Sequence, residues 1–115
     1  MENFKLDNFS ILVSQEGDVT ELRWLGRSEF RNPSDVLNPY FDEILPQLGG
    51  KLAVHFDKLE FMNSSTFPAL IHFLKKCDGA GLQTTLFYNS SSEWQEAAFR
   101  PIKIIVTKFG NVDFA

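Results

Sequence analysis

Between residues 52 and 74 the hydrophobic period changes from that of a strand to that of a helix, with a hydroxyl-rich turn between the two. Leu52-Ala53-Val54-His55-Phe56 is a short apolar run bounded by Gly49-Gly50 and Asp57-Lys58, the pattern of a strand buried on both faces. Phe67, Leu70, Ile71 and Leu74 then recur at i, i+3, i+4 and i+7, one face of an amphipathic helix. Pro68 sets where that helix begins, because proline suits a first turn, where its missing N–H would have no partner, and disfavours helical dihedrals at Phe67. Ser65 or Thr66 is therefore the expected cap, with Asn63 and Ser64 in the preceding loop.

The flanking segments extend this alternation. Asp7 to Val13 and Val19 to Leu25 read as two strands joined by a Glu16-Gly17-Asp18 turn, with Thr20, Leu22 and Trp24 on one face and Glu21 and Arg23 on the other. Asn32-Pro33 and Asn38-Pro39 each resemble a cap followed by a first-turn proline. The stripe Tyr40, Phe41, Ile44, Leu45 and Leu48 favours a start at Asn38, with Pro46 distorting the last turn and Gly49-Gly50 ending it. Leu82 to Tyr88 reads as a strand. Ser92-Glu93-Trp94-Gln95 has capping-box spacing and opens a helix continued to about Lys108, although Ile102 to Thr107 also has strand propensity. Val112 to Phe114 forms a last short strand. The chain is thus expected to be α/β, with a mixed sheet of about five strands and helices mainly on one side.

Composition fits one domain spanning residues 1–115: 43% of residues are hydrophobic and twelve are Phe, enough for one sizeable core. A net charge of −4 without a basic run argues against nucleic acid or an anionic membrane as main partner and favours a protein or a cationic site. The polar start Met1-Glu2-Asn3-Phe4-Lys5 and the absence of an apolar run near the ~18 residues that span a bilayer predict a cytoplasmic location. Cys77 stands alone, so no internal disulfide or cysteine metal cluster is expected, and its place on the apolar face of the helix reads as a core thiol.

The turn itself carries the chemistry. Free N–H groups and the positive end of the helix dipole would tolerate a phosphate, roughly −1.5 to −2 in charge, on the Ser64 hydroxyl. The bland reading of the same residues is capping.

This order of elements, with the turn after the third strand, resembles the STAS domain, the fold of bacterial anti-sigma factor antagonists, over nearly the whole chain. The sharpest match is Leu59-Glu60-Phe61-Met62-Asn63-Ser64-Ser65, similar to the family segment in which an apolar pair, an Asp or Asn, and then Ser or Thr precede the second helix. The resemblance implies that the hydroxyl after the Asp or Asn is phosphorylated by a GHKL-type partner kinase and dephosphorylated by a PP2C-type phosphatase, and position by position this is Ser64. Asn63 stands where the family usually has Asp, as in SiaC-type regulators of partner-switching modules. Thr66 stands where the family usually has Gly, and adds a third hydroxyl beside Ser65. A second likeness, carried by Met62 to Thr66, Thr84 to Tyr88 and Ser92 to Gln95 with Phe99, is to small stand-alone bacterial STAS-like proteins.

Signals for an enzyme are weak. His55 lies in the apolar run and reads as a satisfied core imidazole, while His72 is expected to face solvent. Neither has ligand-type neighbours at metal spacing, and no cofactor or metal is expected. Ser64 lacks the glycines of a nucleophile elbow, those positions being Met62 and Thr66. The expectation is a non-enzymatic binding module, with Met62, Asn63, Ser64, Ser65 and Thr66 forming the partner surface and Ser64 the phosphoacceptor, Ser65 and Thr66 being alternatives. Phosphate there would add charge beside Asp57 and Glu60 and repel the partner. Asn63 would orient the loop through a side-chain to backbone hydrogen bond. Trp94 reads as packing or as a partner anchor. The rival expectation is a non-switching interaction or structural protein, a homodimer joined through Phe73, Tyr88 or Phe114.

Overall fold

The computed structural model describes residues 1–115. The strands are β1 (Phe4–Leu6), β2 (Phe9–Glu16), β3 (Val19–Ser28), β4 (Lys51–His55), β5 (Leu59–Met62), β6 (Gln83–Phe87) and β7 (Val112–Phe114), and the helices are α1 (Pro33–Ile44), α2 (Thr66–Gly79) and α3 (Glu93–Val106). They form one mixed sheet in the order β1-β2-β3-β4-β6-β7, with β5 beside β3. The β1/β2 and β2/β3 pairs are antiparallel, and every other pair is parallel.

The sheet has seven strands rather than five because two short ones lack a periodic signal of their own. Phe4–Leu6 turns back at Asp7, whose φ is 54°, so the expected strand from Asp7 begins instead at Phe9. Leu59–Met62 continues the sheet because β3 is long: Val19 to Arg23 pair with β4, and Gly26 to Ser28 remain to pair with β5. Gly26 makes the change possible, since at φ 82° an added Cβ would lie 1.8 Å from the Asn8 carbonyl oxygen, and the register shifts immediately after it.

One face of the sheet carries the core. Phe9, Ile11, Leu22, Trp24, Leu52, Val54 and Leu86 meet the buried residues of all three helices in a single apolar cluster. Trp24 is its aromatic centre, in edge contact with Phe9 and Phe56 and stacked on Phe41, which in turn stacks on Phe73 at 4.3 Å. The opposite face carries Leu12, Glu21, Arg23, His55 and Thr85. Consequently the strand around Val54 is not buried on both faces, and His55 retains 19% of its side-chain exposure.

Helix α1 starts at Pro33, one turn and a half before the Asn38 expected from sequence. The earlier start buries Pro33 and Leu37 in line with Tyr40, Phe41 and Ile44, and this apolar stripe outweighs the backbone hydrogen bond that Pro39 cannot make inside the helix. Pro46 lies in a single 3-10 turn, Leu45–Gln47, that ends the helix. Helix α3 passes through Pro101 and stops at Val106, so the segment with strand propensity is helical.

Candidate functional site

Because β3, β4, β5 and β6 run parallel, the loops that follow them gather at one end of the sheet, where binding loops of α/β sheets are commonly built. The turn Asn63 to Ser65, between β5 and α2, sits there. Asn63 is held at three points: its N–H donates to the Ser28 carbonyl at 3.0 Å, its Nδ2 donates to the Phe30 carbonyl at 3.0 Å, and its Oδ1 accepts the Thr66 hydroxyl at 2.7 Å. The Thr66 hydroxyl, with its proton committed to Asn63, accepts from Ser28 Oγ at 2.7 Å. Both Ser28 and Thr66 are fully buried. The chain from Ser28 through Thr66 and Asn63 to Phe30 therefore clamps the turn onto the end of β3.

The clamp sorts the candidate residues. Ser64 and Ser65 are exposed, and Ser65, at the N-cap position, makes no side-chain capping bond. Their hydroxyls are therefore available, while backbone bonds from Thr66 N–H to the Asn63 carbonyl and Phe67 N–H to the Ser64 carbonyl set the turn. Thr66 is neither a surface hydroxyl nor a capping side chain, because its hydroxyl is consumed inside the clamp. Met62, 4% exposed, belongs to the core and offers nothing to a partner. Its alternation in β5 places it inward while Glu60 points out. Ser28 and Phe30 escaped the sequence reading because they lie more than thirty residues from the turn they hold.

Gln95 is a second fixed point at this end. Its Nε2 donates to the carbonyls of Phe56, Asp57 and Leu59 at 2.8, 3.3 and 3.1 Å, and its Oε1 accepts the Asn89 N–H at 2.7 Å. Only half of the expected capping box forms: Ser92 Oγ accepts the Gln95 N–H, but the glutamine side chain crosses to the β4–β5 turn instead of returning to Ser92. Trp94 is half-buried and packs near Phe61, with ring centroids 6.2 Å apart, and the Arg27 guanidinium lies over the Phe61 ring.

The remaining candidates separate from the turn. His55 is not a core imidazole: its Nε2 is 3.0 Å from Glu21 Oε1 and its ring stacks on Phe87, both on the helix-free face of the sheet. Asp57 lines a small concavity there with Arg23, His55 and Lys58, whereas Glu60 lines a polar groove with Lys5, Asp7 and Arg27. His72 is exposed on α2. Cys77 is buried, and burial pushes its thiol up to about 12, against a smaller lowering by the Thr84 hydrogen bond, so it stays protonated. Phe73 is 1% exposed inside the core, which removes it from the expected dimer patch, while Tyr88 and Phe114 are half-buried around Phe99. No three His, Cys, Asp or Glu side chains converge as metal ligands, and no helix is long and apolar enough to cross a membrane.

Hairpin, alternating helices and a clamped turn before α2 define a STAS-like α/β fold, that of the anti-sigma factor antagonists. An anti-sigma factor antagonist from Mycobacterium paratuberculosis superposes with a TM-score of 0.65 at 12% identity, covering 91% of this chain and 85% of that one. The unphosphorylated anti-sigma factor antagonist SpoIIAA aligns with a TM-score of 0.51 at 13% identity, over 80% of this chain and 96% of that one. A Shewanella loihica protein described as having a SpoIIAA-like fold aligns with a TM-score of 0.58 at 13% identity, over 100% of this chain and 91% of that one. No protein-family model matches the sequence, and no curated protein matches it significantly.

Proposed function

We propose that this chain is a regulatory protein-binding module of the anti-sigma factor antagonist kind, switched by phosphorylation of Ser64. The observation that carries the reading is the pairing of an exposed, unbonded Ser64 hydroxyl with an immobilised Asn63 immediately before it. Asn63 spends its side chain on Phe30 and Thr66, so the turn presents Ser64, and beside it Ser65, in one arrangement. A partner kinase of the GHKL type would supply ATP and Mg²⁺, and a PP2C-type phosphatase would reverse the step. Phosphate at Ser64 would place about −1.5 to −2 charge in the docking surface, and a partner packed there would be displaced by desolvation and repulsion. The module itself performs no catalysis in this reading, and its location is cytoplasmic.

Intact-mass and fragment mass spectrometry of the protein isolated from the cells that make it tests the proposal. One added phosphate mapped to Ser64 is the expected result. Complete peptide coverage of the turn across several growth conditions with no phosphate would sink the switch.

A further inference from the structure

A second surface lies at the other end of the sheet. Helix α3 begins at the loop end, where Gln95 reaches the β4–β5 turn, and runs back so that the segment after it is tied to the end of α2 by Asn111, whose N–H donates to Asp78 Oδ1 at 2.8 Å. Its C-terminal half therefore lies away from Ser64. Ile104 is 64% exposed, the largest value among the big apolar side chains, and the adjacent Ile105 is 37% exposed. Neither the core nor helix propensity accounts for them, since isoleucine is a poorer helix former than lysine, glutamate or alanine at an exposed position. Together with the exposed Pro101 they make an apolar strip on the outer face.

Charge around the strip identifies what would cover it. Residues 100–108 hold three of the eleven Lys and Arg residues and none of the fifteen Asp and Glu residues, in a chain of net charge −4. Arg100 reaches only Glu96, at 3.8 Å, Lys103 Nζ lies over the Tyr88 ring at 4.8 Å, and Lys108 is exposed without an ion pair. We propose that Ile104 and Ile105, bracketed by Arg100, Lys103 and Lys108, form a docking strip for an acidic amphipathic helix of a partner protein. Carboxylates flanking an apolar ridge on that helix would match the cations while the ridge covers the isoleucines. A second copy of this chain would bring like charges together across a two-fold axis, and three cations fall short of the clusters that hold proteins on anionic lipid. The strip does not involve Ser64.

The test uses two fluorescent synthetic helices of about 18 residues with one leucine ridge, the polar positions being Glu in one and Lys in the other. Fluorescence anisotropy should show saturable binding of the Glu peptide and at least about tenfold weaker binding of the Lys peptide. The Ile104→Ser/Ile105→Ser and Lys103→Glu/Lys108→Glu proteins, checked for folding by circular dichroism, should each lose at least about tenfold. Amide NMR shifts should map to residues 100–109. Absent saturation, equal binding of both peptides, or shifts centred elsewhere would overturn the proposal. So would co-sedimentation with phosphatidylglycerol vesicles, or a concentration-dependent dimer, as the property that Ile104→Ser removes.

Discussion

Ser28 Oγ and Thr66 Oγ1, thirty-eight residues apart in sequence, meet at 2.7 Å in a site closed to solvent, and the Thr66 proton passes on to Asn63. A hydroxyl at residue 66 is thus part of the wall that holds the turn. Thr66→Val keeps the shape but leaves Ser28 and Asn63 each short of a partner, and it should destabilise the fold by about 1–3 kcal/mol in urea titration. Adding Ser28→Ala should recover part of that loss, because one orphaned group is removed, and the double mutant should be clearly non-additive.

The same burial separates the hydroxyls by their tolerance of charge. Ser64→Asp, at an exposed position before α2, should change stability by no more than about 0.5–1 kcal/mol. Thr66→Asp would drive a carboxylate into a fully buried site and should leave little folded protein at 25 °C. Equal stability of the two variants would contradict the placement of Thr66.

Gln95 joins α3 to the carbonyls of the β4–β5 turn. Removing it in Gln95→Ala should cost about 2–4 kcal/mol by thermal or urea unfolding, since several buried polar groups lose their partner together. Amide exchange at Leu59 and Asn89 should accelerate in the folded variant.

Gly26 accepts a backbone approach that no side chain can share. Gly26→Ala should destabilise by at least about 2 kcal/mol, since both the positive φ and the Asn8 carbonyl oppose a Cβ. The β1–β2 turn, which rests on this point, should show the largest increase in amide exchange.

Alkaline pH should weaken the fold through Cys77. Burial raises its thiol from an ordinary value of 9.0 to about 12, so above about pH 9 the unfolded chain loses a proton that the folded chain keeps. The unfolded state then binds fewer protons, and stability, complete below pH 9, falls as pH rises toward 12, at up to about 1.4 kcal/mol per pH unit for this thiol. Tyr40, pushed up to about 12 by burial and by the nearby Glu43, has the same sign of effect from pH 10 upward. Urea midpoints between pH 8.5 and 10 should fall in the native protein and fall less in Cys77→Val. Folded protein should also resist thiol reagents at neutral pH.

The periodic segments announced themselves. The face shared by Thr20, Leu22 and Trp24, the stripe of α2 and the long run of α3 through Pro101 all follow from regular spacing over many residues. The exposed Ser64 next to Asn63 was legible for a related reason, since a proline and an apolar period bracket the turn from one side. What failed to show were features set by distant partners. Leu59–Met62 is a strand because Gly26 to Ser28 are unclaimed by β4, and α1 starts early because Leu37 has a core to enter. Met62 and Thr66 looked like surface candidates because sequence gives a residue's neighbours along the chain but not those across the sheet.

Local physical chemistry, carried by spacing, proline, glycine and capping residues, was sufficient to determine the order of the three helices and of five of the seven strands, the α/β class and the position of the hydroxyl turn. Tertiary structure alone decided which hydroxyls of that turn face water, that Asn63 is clamped between Phe30 and Thr66, and that His55 opens onto the helix-free face. The reason is that burial and hydrogen-bond satisfaction are properties of pairs brought together by folding, and the pairs that decide these points lie 33 to 38 residues apart.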